Sequence, residues 1–525
     1  MAKILVSDPI DQVGIDILKQ VAQVDIKTGL PEAELVNIIP EYDAMMLRSG
    51  TKVTKAIIEA GTQLKIIGRA GVGVDNIDVP AATRQGIVVV NSPEGNTIAA
   101  AEHALAMMMA LARHIPDAHQ SIKMGQWDRK TFVGTEIYKK TLGVVGLGKI
   151  GSHVAKVAKS MGMKILAYDP FISKERADQL GCTLVDLDLL FSESDFITLH
   201  VPKTPETANL IGPATLAKMK PSVRIINCSR GGIIDEEALA DALEQGKIGG
   251  AALDVYSQEP LGESRLRSLK NIILTPHLGA STTEAQVNVS VDVAEQIRDV
   301  LLGLPARSAV NIPGLTPDVM EKLRPYLQLA ETLGNLVGQL AGGRIEQLTV
   351  SLQGDLAEHT GQPIVVASIK GLLSQALRER VNYVNAALEA KERGIRVIET
   401  RDSSLRDYSG SLHLQAIGSM GEHSATGVLL SNGEIRITDV DGFPINVPPS
   451  NYMLFTLHRD MPGIIGKIGS LLGSFNVNIA SMQVGRKIVR GDAVMTLSLD
   501  DPLPEGLLAE ITQVPGIRDA YTVKL

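Results

Sequence analysis

The feature that most narrows what this chain can fold into is a β-rich apolar run that leads directly into three spaced glycines. Thr141–Val145 is that run, and Gly146, Gly148 and Gly151 follow it, with apolar residues at helical spacing beyond them. In such a strand, turn and helix the first glycine permits the tight turn and the second lets the backbone approach a pyrophosphate. The third lets the helix pack on the strand, with the phosphate at the helix N-terminus. The pattern therefore predicts a doubly wound α/β domain that binds a dinucleotide.

A carboxylate at the end of the next candidate strand makes the cofactor prediction more specific. Asp169 follows Gly151 at close to the roughly 20-residue spacing at which an acid binds the ribose hydroxyls. Because a carboxylate repels a 2′-phosphate, we expect NAD rather than NADP.

Short β-rich runs alternate with helical stretches on both sides of the glycine loop, which predicts two doubly wound, Rossmann-like domains. The candidate strands are Lys3–Ser7, Val24–Lys27, Ala44–Leu47, Lys65–Gly68 and Ile87–Asn91 in the first series, and Thr141–Val145, Lys164–Tyr168, Phe196–His200, Arg224–Asn227, Gly250–Asp254 and Ile272–Leu274 in the second.

Two helical stretches are expected to connect these domains. Thr97–Lys123 would leave the first domain, and Thr283–Leu302 would return to it. The predicted domains are a substrate-binding domain, residues 1–96 with 283–313, and an NAD-binding domain, residues 97–282.

Four prolines mark a boundary stretch that we expect not to run as a continuous helix; they are Pro305, Pro313, Pro317 and Pro325. We therefore expect an α+β intervening domain over residues 314–450. Residues 451–525 have the order strand, helix, strand, strand, helix, strand, which predicts a ferredoxin-like βαββαβ unit.

Composition and charge exclude several classes of protein. The formal net charge is −8 and the pI is about 5.8, so there is no overall positive field to attract nucleic acid. No apolar run approaches the roughly 18 residues of a membrane span. Two cysteines argue against a disulfide framework and a metal cluster. We expect a cytoplasmic protein with no metal.

Three polar segments stand at predicted strand ends of the second domain, where open α/β sheets bind ligands. They are Asn227–Gly232, Asp254–Pro260 and Thr275–Thr282. Oxidation of an alcohol needs a base of near-neutral pKa and, for an acid substrate, a cation. His277 would be the base, Glu259 would orient it, and Arg230 would bind the substrate carboxylate.

With these motifs in this order, the chain resembles the D-2-hydroxyacid dehydrogenase family, and within it the long-form D-3-phosphoglycerate dehydrogenases, over essentially its whole length. The resemblance implies catalysis by Arg230, Glu259 and His277, an intervening domain of the allosteric substrate-binding type and a C-terminal ACT domain. It also implies NAD contacts at Gly146, Gly148, Lys149, Ile150, Gly151, Asp169, Cys228, Ser229, Arg230, Asp254, His277, Leu278, Gly279 and Ala280.

The resemblance implies 3-phosphoglycerate as the substrate, with oxidation to phosphohydroxypyruvate at the entry to L-serine biosynthesis, and 2-oxoglutarate reduction as a possible side activity. Several cations must converge on so anionic a substrate. The candidate substrate-binding residues are Arg48, Ser49, Arg69, Gly71, Val72, Gly73 and Asn96. Arg129 and Lys130 are candidates to reach a neighbouring subunit of a homo-oligomer, a dimer or tetramer.

Two alternatives remain open. A hydroxypyruvate or glyoxylate reductase would use the same three catalytic residues on a substrate without phosphate. A nucleotide-sensing corepressor would share this fold and even these three residues, but the acidic net charge and the two additional C-terminal domains favour the enzyme.

The C-terminal unit carries the candidate regulatory residues. Asp460 precedes a turn at Gly463, and Asn476 and Asn478 follow the next predicted helix. Asp460 would bind an amino group and helix-start N–H groups would bind a carboxylate. The resemblance points to L-serine as the effector.

Overall fold

Across residues 1–312, 317–358, 361–404 and 408–525, which the computed structural model describes, four β-sheets follow one another along the chain. In the first sheet the order is β2-β1-β3-β4-β5 and every strand pair is parallel. Its strands are β1 (Ala2–Val6), β2 (Ala22–Ile26), β3 (Ala44–Leu47), β4 (Ile66–Arg69) and β5 (Val88–Val90); its helices are α1 (Gln12–Lys19), α2 (Glu32–Ile38), α3 (Lys55–Ala60) and α4 (Val79–Arg84).

The predicted helical stretch from Thr97 to Lys123 is two helices, α5 (Thr97–Ala112) and α6 (Ile115–Lys123). Pro116 is the physical reason, because its ring excludes the carbonyl four residues earlier from a continuing helix. That carbonyl, of Ala112, instead accepts the N–H of Thr135 at 2.8 Å.

The second sheet is also parallel, in the order β12-β11-β10-β9-β6-β7-β8. The strand order reverses between β6 and β9, the type of position at which doubly wound sheets bind ligands. Its strands are β6 (Thr141–Val145), β7 (Lys164–Tyr168), β8 (Thr183–Leu184), β9 (Phe196–Leu199), β10 (Arg224–Asn227), β11 (Gly250–Leu253) and β12 (Ile272–Leu274); its helices are α7 (Lys149–Ser160), α8 (Lys174–Leu180), α9 (Leu187–Glu193), α10 (Pro213–Leu216) and α11 (Glu236–Glu244).

Helix α12 (Thr283–Leu301) returns to the first sheet. Thr282 begins it by accepting the N–H of Ala285 at 3.1 Å. The helix lies so close to β4 that a Cβ at Gly68 would sit 2.5 Å from Val293 Cγ1. Val293 and its neighbours on α12 share the core of that sheet.

Helix α13 (Pro317–Ala341) contradicts the expectation that no continuous helix forms there. Pro317 is tolerated because it is the first helical residue, whereas Pro325 lies inside and removes one helical hydrogen bond. Burial outweighs that loss, because Leu333, Leu336 and Val337 are fully buried and each contributes roughly 1.5–3 kcal/mol. The predicted boundary at residue 314 lies outside the described residues.

The third sheet has the order β14-β13-β15-β16-β17-β18, and its first pair alone is parallel within the described part of the chain. Its strands are β13 (Ile345–Gly354), β14 (Arg396–Asp402), β15 (Gly410–Gly418), β16 (Gly421–Leu429), β17 (Ile435–Val440) and β18 (Phe443–Val447); helices α14 (Gly361–Leu377) and α15 (Ala386–Glu392) belong with it.

The fourth sheet is antiparallel, in the order β20-β21-β19-β22, which is the ferredoxin-like arrangement expected from the sequence. One face packs on its own helices, and Met453, Phe455 and Val523 on the other share the core of α13. The elements are β19 (Tyr452–Arg459), α16 (Ile464–Ser474), β20 (Ile479–Arg486), β21 (Asp492–Leu499), α17 (Leu507–Thr512) and β22 (Ile517–Lys524). None of the helices described combines the length and hydropathy needed to cross a membrane.

Candidate active site

The glycine loop between β6 and α7 has the shape that a dinucleotide requires. Gly146 has a positive φ of 94°, and a Cβ there would lie 2.5 Å from the carbonyl oxygen of His200. A Cβ at Gly151 would lie 1.9 Å from the carbonyl oxygen of Gly146, so helix and turn approach as closely as glycine alone allows. Gly148 faces open space at the start of α7. A pyrophosphate therefore fits at this helix N-terminus.

Asp169 lies at the end of β7 and is bound to the same loop. Its Oδ2 accepts the N–H of Leu147 at 2.8 Å, and its Oδ1 accepts the N–H of Phe171 at 2.9 Å. Nearby, Lys149 forms an ion pair with Glu94. Asp169, which is predicted to bind the ribose hydroxyls, thus lies beside the glycine loop, with its carboxylate fixed by backbone N–H groups.

His277 and Glu259 form a hydrogen-bonded pair after β12 and β11. The Nδ1–H of His277 donates to Oε2 of Glu259 at 2.7 Å, and Oε1 accepts the N–H of Tyr256 at 3.0 Å. This arrangement fixes the tautomer that leaves Nε2 of His277 as the acceptor. About half of the His277 side chain is exposed, so a substrate can reach it.

Asp254 stabilises the backbone on either side of His277. Its fully buried carboxylate accepts the N–H groups of Leu278 at 2.7 Å and Gly279 at 2.8 Å, and the hydroxyl of Thr275 at 2.5 Å. His277 itself is left-handed, with a φ of 56°, a conformation that costs about 1–2 kcal/mol outside glycine. The Asp254 bonds on either side compensate for that cost.

Burial acts to raise the pKa of Asp254, but hydrogen bonds from His103, Thr275 and the Leu278 N–H outweigh it and leave the pKa below its ordinary value. His103 Nε2 lies 3.2 Å from Oδ1 of Asp254. Burial, followed by the charge of Asp254, raises the pKa of the Cys228 thiol far above its usual range. The Cys228 thiol is therefore neutral where it lines the site.

Arg230 is held from both sides of the cleft between the first two sheets. Its Nη1 donates to the Ser229 carbonyl at 2.7 Å, and its Nε donates to Oδ2 of Asp75 at 3.1 Å. A Cβ at Gly73 would lie 2.2 Å from Nη2 of Arg230. Asn227 supports the loop by donating to the Arg230 carbonyl at 2.9 Å.

Two further arginines from the first sheet converge near Arg230. Arg69 Nε donates to Oδ1 of Asn76 at 2.7 Å, and Asn76 Nδ2 donates to the Arg48 carbonyl at 2.7 Å. Burial, and then the nearby charge of Arg230, lower the pKa of Arg69 to about 10, with Arg48 contributing in the same direction and Asp75 opposing it. Such mutual repulsion marks a site that is suited to an anion.

The other predicted substrate residues flank this cluster. Gly71 is close enough to Arg69 that a Cβ would lie 2.7 Å from Nη1, and the Val72 carbonyl accepts from Asn91. Ser49 is exposed. Asn96 stands at the start of α5, and its Oδ1 is buried without a hydrogen-bond partner among the described residues.

Sequence reasoning missed three residues that build the site, namely Asp75, Asn76 and His103, and it assigned no role to Asn227 and Thr275 within the predicted strand-end segments. Signals existed for some of them. Asp75 and Asn76 follow closely on the candidate residues Gly71 and Gly73, and His103 is a polar residue among the apolar residues of α5. A buried polar side chain on an apolar stripe requires a partner.

In the fourth sheet, Asp460 is already engaged. Its Oδ2 accepts from Arg486 Nη1 at 2.9 Å and from the Arg490 N–H at 3.1 Å. Gly463 is left-handed, with a φ of 92°, and has open space where a side chain would be. Asn476, also left-handed, follows the end of α16, and Asn478 donates to Asp500 at 2.5 Å.

Three family models match the chain. They are the NAD-binding domain of the D-isomer specific 2-hydroxyacid dehydrogenases over residues 105–279, the D-3-phosphoglycerate dehydrogenase intervening domain over 322–441, and the ACT domain over 452–516. The NAD-binding match agrees with the cofactor expected from the glycine loop and Asp169.

Relatives of known name cover the whole chain. A D-3-phosphoglycerate dehydrogenase of Synechocystis sp. is 86% identical over 100% of this chain and 95% of its own. One from Methanocaldococcus jannaschii is 46% identical over 100% of both chains, and one from Bacillus subtilis is 42% identical over 100% of this chain and 99% of its own.

Solved structures resemble the first two sheets. The apo form of a D-lactate dehydrogenase from Escherichia coli is 32% identical, with a TM-score of 0.53 over 59% of this chain and 99% of its own. A glyoxylate reductase from Paecilomyes thermophila is 30% identical, with a TM-score of 0.55 over 59% of this chain and 98% of its own. From the site, the family models and the full-length relatives together, the chain belongs to the D-3-phosphoglycerate dehydrogenases, within the D-isomer specific 2-hydroxyacid dehydrogenase family.

Proposed function

We propose that the protein oxidises 3-phospho-D-glycerate to phosphohydroxypyruvate with NAD, as the first step of the phosphorylated route to L-serine. One observation carries the proposal. The His277–Glu259 pair, a cluster of three arginines and a glycine loop that fits a dinucleotide all lie at carboxyl ends of strands in the first two parallel sheets. NAD, when bound, supplies the hydride acceptor.

The proton chemistry belongs to His277. Its Nε2 accepts the proton of the substrate's 2-hydroxyl group as the carbonyl forms, and returns one in the reverse direction. Glu259, hydrogen-bonded to Nδ1 at 2.7 Å, stabilises the resulting imidazolium and keeps the ring oriented. Asp254 maintains the backbone under the ring.

The arginines divide the anionic groups of the substrate between them. Arg230 binds the carboxylate through its planar fork. Arg69 and Arg48, which come from the first sheet, bind the phosphate.

The reverse reaction gives the most direct test. NADH oxidation is measured with phosphohydroxypyruvate, hydroxypyruvate and glyoxylate under identical conditions, and 2-oxoglutarate is included for the side activity. We expect the highest kcat/KM for phosphohydroxypyruvate. Preference for an unphosphorylated acid would instead assign the protein as a hydroxypyruvate or glyoxylate reductase.

The proposal also covers the regulation and the assembly of the protein. L-serine would bind beside Gly463, with its carboxylate at the N-terminus of α16 and its amino group on Asp460. Among the described residues, Asp460 accepts its two side-chain hydrogen bonds through Oδ2, and we propose Oδ1 as the acceptor for the ligand. We further propose a cytoplasmic homo-oligomer, in agreement with free thiols at Cys182 and Cys228.

A further inference from the structure

Asp75 and Arg230 join the two halves of the catalytic cleft. Asp75 follows β4 of the first sheet and Arg230 follows β10 of the second, and they are 155 residues apart in sequence. The Arg230 Nε donates to Oδ2 of Asp75 at 3.1 Å. This contact is made by a residue that belongs to none of the predicted motifs.

The donors of Arg230 show what this contact leaves free. A guanidinium has five N–H donors, one on Nε and two on each Nη. Asp75 takes the Nε donor and the Ser229 carbonyl takes one on Nη1. Among the described residues three donors remain, one on Nη1 and two on Nη2, and the terminal Nη1–Nη2 edge is the one at which two of them can bind a carboxylate together. A substrate carboxylate can therefore pair with that edge alone, since the edge that contains Nε is blocked.

Gly73 fixes the position of the terminal edge. Because a Cβ at this residue would lie 2.2 Å from Nη2 of Arg230, the guanidinium lies directly against the Gly73 backbone. Asp75 Oδ2 would also be 2.7 Å from the same Cβ. The turn between Gly71 and Asp75 thus holds both the cation and the acid that orients it.

The next residue does the same for another arginine. Asn76 Oδ1 accepts from Nε of Arg69 at 2.7 Å. Two consecutive residues, Asp75 and Asn76, therefore bind the Nε atoms of two arginines that come from different sheets. This pairing sets the spacing between the two cations.

Stability does not account for the contact. The Asp75 side chain is 72% exposed and that of Arg230 is 30% exposed, and exposed ion pairs contribute little to folding. Asp75 also reduces the positive charge of a site that binds an anion, which by itself would weaken substrate binding. Its presence is explained by orientation.

We propose that Asp75 is a positioning residue that turns the terminal edge of the Arg230 guanidinium toward the substrate carboxylate. This inference rests on the proposed function. Asp75 touches neither the substrate nor the cofactor. It acts through Arg230 alone, and it does so from the opposite half of the cleft.

The test compares Asp75→Ala, Asp75→Asn and Asp75→Glu with a matched control. The control is Asp188→Ala. It removes an exposed acid outside the site, whose Oδ1 lies 2.6 Å from Nζ of Lys218. For each variant, kcat and KM for phosphohydroxypyruvate are measured at low and at high ionic strength. Thermal unfolding and the affinity of the NADH complex for oxalate, an unreactive dicarboxylate, are measured in parallel.

We expect Asp75→Ala to lower kcat/KM about 10- to 100-fold, as a misplaced binding group does, and to weaken oxalate binding. Asp75→Asn, which keeps an acceptor for Nε, and Asp75→Glu should recover much of this loss. The loss should persist at high salt, because it arises from geometry and not from a screened field. Melting temperatures and the Asp188→Ala kinetics should match those of the wild type.

A wild-type or lower KM with unchanged kcat in Asp75→Ala would overturn the proposal, because the residue would then act only as a negative charge. Equal losses in the alanine and asparagine variants that disappear at high salt would overturn it for the same reason. If the wild type reduces hydroxypyruvate but not phosphohydroxypyruvate, the substrate assignment fails separately. The same series is then run on hydroxypyruvate, whose carboxylate is the same.

Discussion

Oε2 of Glu259 lies 2.7 Å from Nδ1 of His277, while Oε1 of the same carboxylate is held by the N–H of Tyr256. Both oxygens are therefore committed, and the imidazole has one orientation in the cleft. The side chain of Glu259 reaches His277 from a neighbouring strand end, so the pair depends on the parallel order of β11 and β12.

Replacing His277 by alanine removes the proton acceptor. We expect turnover to fall by roughly 10²–10⁴-fold, with NADH binding nearly unchanged because the glycine loop is intact. Steady-state kinetics and fluorescence titration with NADH separate the two effects. Wild-type turnover in this variant would remove His277 from the mechanism.

Replacing Asp169 tests cofactor choice, but its backbone bonds require two variants. Asp169→Asn keeps an acceptor for the Leu147 N–H and removes the charge, whereas Asp169→Ala also loosens the loop. We expect the NADP/NAD ratio of kcat/KM to rise in both, because the repulsion of a 2′-phosphate is gone. An unchanged ratio in the asparagine variant would show that Asp169 has a structural role only.

Arg48→Ala and Arg69→Ala test the phosphate assignment. A charge-assisted hydrogen bond is worth about 1.5–3 kcal/mol, so we expect kcat/KM for phosphohydroxypyruvate to fall about 10- to 100-fold more than that for hydroxypyruvate. Lys218→Ala, on an exposed helix-end ion pair, serves as the control. Equal losses on both substrates contradict the assignment.

Asp254→Asn should destabilise the protein by about 2 kcal/mol or more at pH 7, because the new amide N–H groups face backbone donors in a fully buried position. The folded-state pKa of Asp254 lies below its ordinary value. The contribution of Asp254 to the free energy of unfolding is therefore complete above the unfolded-state pKa of roughly 4. This contribution is lost only as the pH falls through the lower pKa of the folded state.

Thermal unfolding of the wild type and of Asp254→Asn at several pH values checks this prediction. The difference in melting temperature should be constant from pH 7 to about pH 5 and should narrow only in stronger acid. An exposed control, Asp188→Asn, should show little difference at any pH. A difference that already narrows near neutral pH would contradict the depressed pKa.

Saturating L-serine should slow turnover, and Asp460→Ala should relieve the inhibition, since linkage requires serine to favour one arrangement of the domains. Calorimetry must use the full chain, because Met453 and Val523 share their core with α13. Absence of binding heat together with unaltered kinetics in serine would leave this domain with a structural role.

Local patterns were sufficient to predict where much of the candidate site lies in the fold. The glycine loop, Asp169 and the proposed catalytic residues Arg230, Glu259 and His277 each follow a strand, and parallel strands bring such ends together without further information. Asp75 could not be found this way, because its partner lies 155 residues away and the distance depends on how two domains meet.

The two errors in helix assignment differ in kind. The break before Pro116 had a local signal, since a proline ring excludes the carbonyl four residues earlier. The continuity of α13 through Pro325 had none, because it depends on apolar side chains contributed by other elements, including Met453 and Val523 of the fourth sheet.

That shared core also bears on how the C-terminal sheets are connected to the rest of the chain. The third and fourth sheets share the core around α13, and Asn382 donates to the Gly86 carbonyl at 2.8 Å, beside β5 of the first sheet. Packed side chains and this hydrogen bond, and not the chain connection alone, therefore link the fourth sheet to the first.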